Sequence, residues 1–248
     1  MIRISVKANI DSTIRWLNDV QRSQVPHAQA VALTRTAKLV QAAEIAEIRR
    51  TFDRPTQYTL GSVFMKPATK SRPVAKVWLK SKLDAGKGTA AEDYLLPQIE
   101  GGARKLKRFE RALQAVGAMP PGYFAVPGSA AKLDSAGNMD RGQIVKILSY
   151  FRAFPEAGYR ANITARRKAA LARRGDAYFI GQPRGAPLGI WYRRTSALGS
   201  AIKPVIIFVT RPTYQKLFRF FEVASRVIRT EFPGQFRIAL AEALRTAR

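Results

Sequence analysis

The stretch "AGKGT" at 85–89 carries the residue types of a phosphate-binding loop, in which backbone N–H groups wrap a phosphate and a lysine reaches its oxygens. That chemistry needs Gly-x-x-x-x-Gly-Lys followed by Ser or Thr, whose hydroxyl holds magnesium. Here Gly88 follows Gly86-Lys87, and Ser81 stands five before Gly86. The first glycine and the hydroxyl are both misplaced. A second glycine pair, Gly101-Gly102, leads into a basic segment with Arg104, Lys105, Lys107, Arg108 and Arg111. A helix N-terminus there suits one anion, but nothing beside it reads a base or holds magnesium. His27 is the single histidine, set beside Pro26, and no Gly-x-Ser-x-Gly elbow exists for a Ser/His/Asp triad. It reads as a satisfied or solvent-exposed side chain. The absence of cysteine removes disulfides, zinc-thiolate sites and thiol nucleophiles together. Carboxylates are scattered: Glu92-Asp93, Glu44 with Glu47, Asp134 with Asp140. Glu44 and Glu47 lie one helical turn apart beside Arg49 and Arg50, a spacing that predicts surface ion pairs. A nuclease built on Glu92, Asp93 or Glu100 ranks last. The expectation is therefore no catalysis, no cofactor and no metal.

What remains is charge. Lys and Arg number 43 against 17 Asp and Glu, a net +26. The excess peaks over residues 101–175, with 15 basic and 4 acidic groups, which points to a polyanion or an acidic protein surface. Within it, "TARRKAALARRG" adds Arg166, Arg167, Lys168, Arg173 and Arg174 to the basic set. Such segments neutralise phosphates without reading sequence. Helix-turn-helix, zinc-finger and RNA-recognition signatures are missing, so any DNA contact should run through the backbone alone. A solvated basic face is the competing reading.

These cations need a folded support, and 46% hydrophobic content over 248 residues supplies one. No apolar run approaches the roughly 20 residues that span a bilayer; "PVIIFV" at 204–209 is strand-sized, so no membrane partner is expected. "MIRISVKANIDST" lacks a signal-peptide core, which predicts a cytoplasm-like compartment or a particle assembled there. Residues 2–7 alternate as a short strand, and a helix start is expected at Asp11 or Ser12. "PHAQAVALTRTAKLVQAAEIAEIRRTF" predicts a long helix ending near Arg50, with Ala28, Val31, Leu39, Ala42, Ala43, Ala46 and Ile48 inward. Strands follow around Val63–Met65 and Val74–Leu79, then helices at about 103–116 and 140–153 with a Pro/Gly-rich loop between them. "DAYFIGQPRGAPLGIWYRR" reads as a hairpin and "IKPVIIFV" as a buried strand. From 212 to 232 a helix should bury Tyr214, Leu217, Phe218, Phe221, Ser225 and Ile228, ending at Pro233-Gly234 before a short final helix. In "FRFFEV", Phe218, Phe220 and Phe221 are candidates for a subunit contact.

Two parts of the chain resemble a known family. "VPHAQAVALTRTAKLVQAAEIAEIRRTF", with Thr34-Arg35-Thr36-Ala37 inside it, resembles the N-terminal part of the lambda-type minor tail protein Z family of tailed bacteriophages. "YFIGQPRGAPLGIWYRR", "IKPVIIFV" and the helix reaching "EFPGQFRIALAEALRTAR" are similar to its far end. The resemblance covers roughly 10–82 and 177–248 and is diffuse. It implies an α+β fold, a small antiparallel β-sheet flanked by a long N-terminal helix and a C-terminal helix. It also implies a core of 1–82 plus 177–248 interrupted by a largely helical and loop insertion, 83–176. The implied function is tail completion, tail termination or head–tail joining in the virion neck, as a closed homo-oligomeric ring on the order of six or twelve copies. Its neighbours would be portal, head-completion or tail-tube proteins, with genomic DNA passing through. The alternative is a non-specific DNA-binding protein acting through basic helices.

Overall fold

The computed structural model describes residues 15–16, 18, 20–85, 88–154, 161–196, 199–210 and 213–246. The strand expected at 2–7 and the helix start at Asp11 or Ser12 lie outside them. The fold is α+β, and the chain divides into two compact units, 1–95 with 217–248 and 96–216.

The first unit is built on two long helices, α1 (Val25–Thr51) and α8 (Phe220–Thr246). Alanine content without glycine favours α1, which continues directly from a π-helical turn at Val20–Gln24, and Pro26, which cannot donate an N–H, sits where the wider turn gives way to the α-helix. The chain leaves the helix at Phe52, whose φ of −106° and ψ of 137° are extended, just ahead of Asp53-Arg54-Pro55. The two helices run antiparallel. Ala28 and Ala32 meet Ala239 and Ala243 near one end, all buried, with Phe232 and Phe236 packed on them. Phe52 meets Phe218 at the other end, ring centroids 6.0 Å apart. Facing alanines let backbones approach closely where larger side chains would hold them apart. A short helix α2 (Gln57–Leu60) follows α1 and leads into the antiparallel strands β1 (Val63–Lys66) and β2 (Lys76–Leu79). The Gln41 amide of α1 donates to the Val63 carbonyl at 2.7 Å, and Phe64 packs edge-on against Trp78. Beyond β2 come α3 (Lys82–Ala85) and α4 (Ala91–Glu100), and the division between units falls within α4.

Several expectations for this unit change. α8 is one continuous helix beginning at Phe220 with Pro233 inside it, not two helices broken at Pro233-Gly234. A proline removes one i→i−4 bond and crowds the preceding turn, but here Val223 on one side of it and Ala239 and Ala243 on the other are buried. Phe218 and Phe220 are buried in the chain's own core, 1% and 8% exposed, so they are not presented for a subunit contact; Phe221 is exposed, at 62%. Leu217 and Ile228, expected inside, are outside, as is Leu39 of α1. Most consequential is Glu44. It is fully buried, and neither carboxylate oxygen has a hydrogen-bond partner. Only Glu47 makes the expected ion pair, with Arg50 at 2.7 Å. Burial first, then the charges of Glu47 and of Glu222 on α8, push the Glu44 carboxyl up to about 8, which the Ala224 backbone offsets only in part.

The second unit centres on a four-stranded antiparallel sheet ordered β4–β7–β6–β5: β4 (Tyr123–Pro127), β5 (Ala177–Gly181), β6 (Gly189–Ser196) and β7 (Gly199–Thr210). The hairpin and the buried strand stand where the alternation placed them. β4 lies inside the stretch expected to be loop. The two-residue ladder β3 (Gly102–Ala103) with β8 (Thr213–Tyr214) adds a second pairing, so the helix expected from 103 begins only at Arg108. Three helices complete the unit: α5 (Arg108–Ala115), α6 (Arg141–Tyr150) and α7 (Ala165–Arg173). The core gathers Leu113, Met119, Ile147, Ile190, Ile206 and Phe208. Because β4 pairs with β7 from Tyr123↔Thr210 to Pro127↔Ile206, the strands at 177–210 share a sheet with residues 123–127. The unit boundaries therefore fall at 95/96 and 216/217 rather than at 82/83 and 176/177.

Candidate nucleic-acid interface

The sequence-predicted cations all lie in the second unit, in unequal surroundings. Arg104 is structural. Its Nη1 and Nη2 donate to the two oxygens of Glu110 at 2.7 and 2.5 Å, and its guanidinium lies 4.8 Å over the Phe124 ring. Glu110 also accepts the backbone N–H of Lys107 at 2.6 Å and of Ala125 at 2.8 Å. Its side chain has no exposed surface. Burial alone would raise the Glu110 carboxyl; the Arg104 hydrogen bond and the two backbone donors overcome that and hold it below the usual carboxylate range. A guanidinium whose fork is already filled offers little to phosphate, so Arg104 leaves the candidate set. Lys105, Lys107, Arg108 and Arg111 are exposed around α5 and its lead-in.

α7 carries the remaining sequence-predicted cations. Thr164 caps it, its hydroxyl accepting the Arg167 N–H at 3.3 Å, and no residue of the helix is buried. Arg166, Arg167, Lys168 and Arg173 are exposed on it, as is Arg174 at its C-cap. Arg166 with Arg173, and Arg167 with Arg174, stand seven positions apart, which puts each pair on one line about 10 Å long. Lys168 leans back, its Nζ 4.8 Å from the centroid of the Tyr150 ring.

A third cationic group escaped the sequence reading. β5, β6 and β7 set Tyr178, Tyr192 and Lys203 in one cross-strand row, with Arg194 opposite Ala201 beside it. Lys132 and Lys146 join them around a cleft of about 520 Å³. The Tyr178 and Tyr192 ring centroids are 5.1 Å apart. Burial pushes both phenols above their usual range, and Tyr192 donates to Asp176 at 2.9 Å. Asp140 also reaches the cleft, its Oδ1 accepting the Gln143 N–H at 2.8 Å as the α6 cap. The period-two spacing of Tyr192 with Arg194 and of Ala201 with Lys203 was a readable signal; Lys132 and Lys146 gave none.

The other expected sites stay apart. His27 is exposed on α1, and among the described residues no three His, Asp or Glu side chains converge to hold a metal. No helix is long and apolar enough to cross a membrane among the described residues. Comparison with family models, with curated proteins and with solved structures finds no match to this chain.

Proposed function

We propose that this chain is a structural protein of the bacteriophage head–tail interface, a tail-completion or neck protein that assembles as a homo-oligomeric ring around the DNA path and carries no catalysis of its own. The observation that carries the reading is α7, a helix with no buried residue and five cations on or next to it. Four of its nine residues are alanine and one is leucine, yet none is buried, so the helix adds little burial to its own unit; its exposed cations suit a phosphate backbone. The resemblance of 10–82 and 177–248 to the tail protein Z family supplies the setting. Phe221 and Ile228, exposed two turns apart on α8, give apolar surface for contact between copies or with portal, head-completion or tail-tube neighbours.

The test is the mass of the purified chain by light scattering at moderate salt without nucleic acid. A discrete multiple of 27.6 kDa supports the ring. A monomer that binds duplex DNA through α7 would replace it with the second reading, a non-specific DNA-binding protein, which the same helix favours.

A further inference from the structure

Among the described residues, Lys132, Lys146, Arg194 and Lys203 have no carboxylate partner within ion-pair distance, yet they surround one cleft. Against these four cations the lining holds one acid, Asp140, already engaged as a helix cap. Like charges gathered around a concavity repel one another, weakly where water and salt reach them, and a bound anion would turn that arrangement into attraction. The rest of the lining is the Tyr178–Tyr192 pair with Val205, two alanines and Gln143, whose amide is tied to the Lys132 N–H and the Ala130 carbonyl. The Tyr192 hydroxyl is tied to Asp176, which fixes that ring in place.

We propose that this cleft binds a nucleotide unit of single-stranded nucleic acid, its base against the Tyr178–Tyr192 row and its phosphates on Lys132, Lys146, Arg194 and Lys203. Aromatic residues on a sheet face accept the flat surface of any base, and cations at the rim follow the backbone between bases. Arg194 adds a planar fork that matches a phosphate with two parallel bonds. A duplex is poorly suited, because its base faces are stacked on one another and closed to the tyrosines. The volume, about 520 Å³, lies within the usual range for a small-ligand site. This inference goes beyond the ring function, which concerns duplex DNA and contacts between copies, and either can fail alone.

The experiment is fluorescence anisotropy of fluorescein-labelled (dT)12 over a salt series, on the full chain and two variants checked by circular dichroism. K146E/K203E reverses two cleft cations, whereas K70E/R72E makes the same change of charge on exposed residues of the first unit. The expected result is at least tenfold weaker binding for K146E/K203E and less than twofold for K70E/R72E. The log–log salt slope should also flatten by about 0.7 per lost phosphate contact, roughly 1.4 in all, for K146E/K203E. Equal losses in both variants would mean that net charge alone binds the strand, and would overturn the proposal. Competition separates the sources of the ligand. Displacement by dTMP assigns the cleft to free nucleotides, displacement only by unlabelled (dT)12 assigns it to a strand, and both keep the nucleotide unit. Inorganic pyrophosphate competing as well as dTMP would remove the tyrosine row from recognition and overturn the proposal.

Discussion

Glu44 offers the most exacting test of the fold. Its carboxyl sits in the seam between α1 and α8 with no exposed surface and no hydrogen bond to either oxygen, next to Glu47 and Glu222. In the folded chain it stays protonated up to about 8, whereas the unfolded group ionises near 4.5. The folded state thus holds a proton that the unfolded state gives up. The stabilisation is complete below pH 4.5 and declines by about 1.4 kcal/mol per pH unit until roughly pH 8, where it is spent. The span sets a ceiling of about 5 kcal/mol; a two-helix seam is less insulating than a deep core, and about 2–4 kcal/mol is the working expectation. The perturbation is Glu44→Gln, which keeps the shape and removes the titration. Urea unfolding followed by circular dichroism at 222 nm, where α1 and α8 dominate the first unit, should show the wild-type midpoint falling from pH 5 to 8 and the variant's midpoint holding level. A wild-type chain with flat stability over that window, or a variant that keeps the slope, would refute the reasoning.

Three further outcomes are expected. Glu110→Ala strands the Arg104 guanidinium and two backbone N–H groups in the second unit, and should cost about 3–5 kcal/mol by urea titration; a loss under about 1 kcal/mol would show that the pair is not holding α5 to β4. Gly189→Ala would put its Cβ 2.2 Å from the Ile206 carbonyl oxygen, forcing β6 and β7 apart at a cost of about 1–3 kcal/mol or more; a thermal midpoint equal to wild type would contradict the register. Replacing Arg166, Arg167 and Arg173 with Ala should flatten the log–log salt dependence of duplex DNA binding by about 0.9 per lost phosphate contact. An unchanged slope would take α7 off the DNA.

What the sequence disclosed follows from where burial is decided. α1 was legible because alanine-rich propensity acts locally, and the β5–β6 hairpin because period-two alternation does. The buried face of α1 was not, because it is fixed by a partner far away in the chain. The line that α8 covers runs through small residues and Glu44, while the larger Leu39 is left outside. β4 was hidden because its five residues follow Pro120-Pro121-Gly122 closely and end on Pro127 itself, ahead of Gly128, and only pairing with β7 reveals them. The unit boundaries followed from the family resemblance and moved for the same reason. At the cationic surface, Arg104 looks like its neighbours in sequence; what separates it is a buried carboxylate six positions on that also receives the Ala125 N–H. The cleft cations come from four separate stretches; period-two spacing sets Arg194 on the face of Tyr192, and nothing in the sequence brings Lys132 and Lys146 to them.

The division of the first unit between 1–95 and 217–248 constrains the order in which the chain can fold during synthesis. α1 leaves the ribosome with Ala28 and Ala32 facing water, and its partner α8 is translated only after the whole of 96–216. At about 5–20 residues per second that wait is on the order of ten seconds, far longer than the microseconds an isolated helix needs to form and melt. The second unit, contiguous along the chain, can close its sheet during this interval. The Glu44 carboxyl is then enclosed when α8 arrives, and below about pH 8 its enclosure is linked to uptake of a proton from solvent.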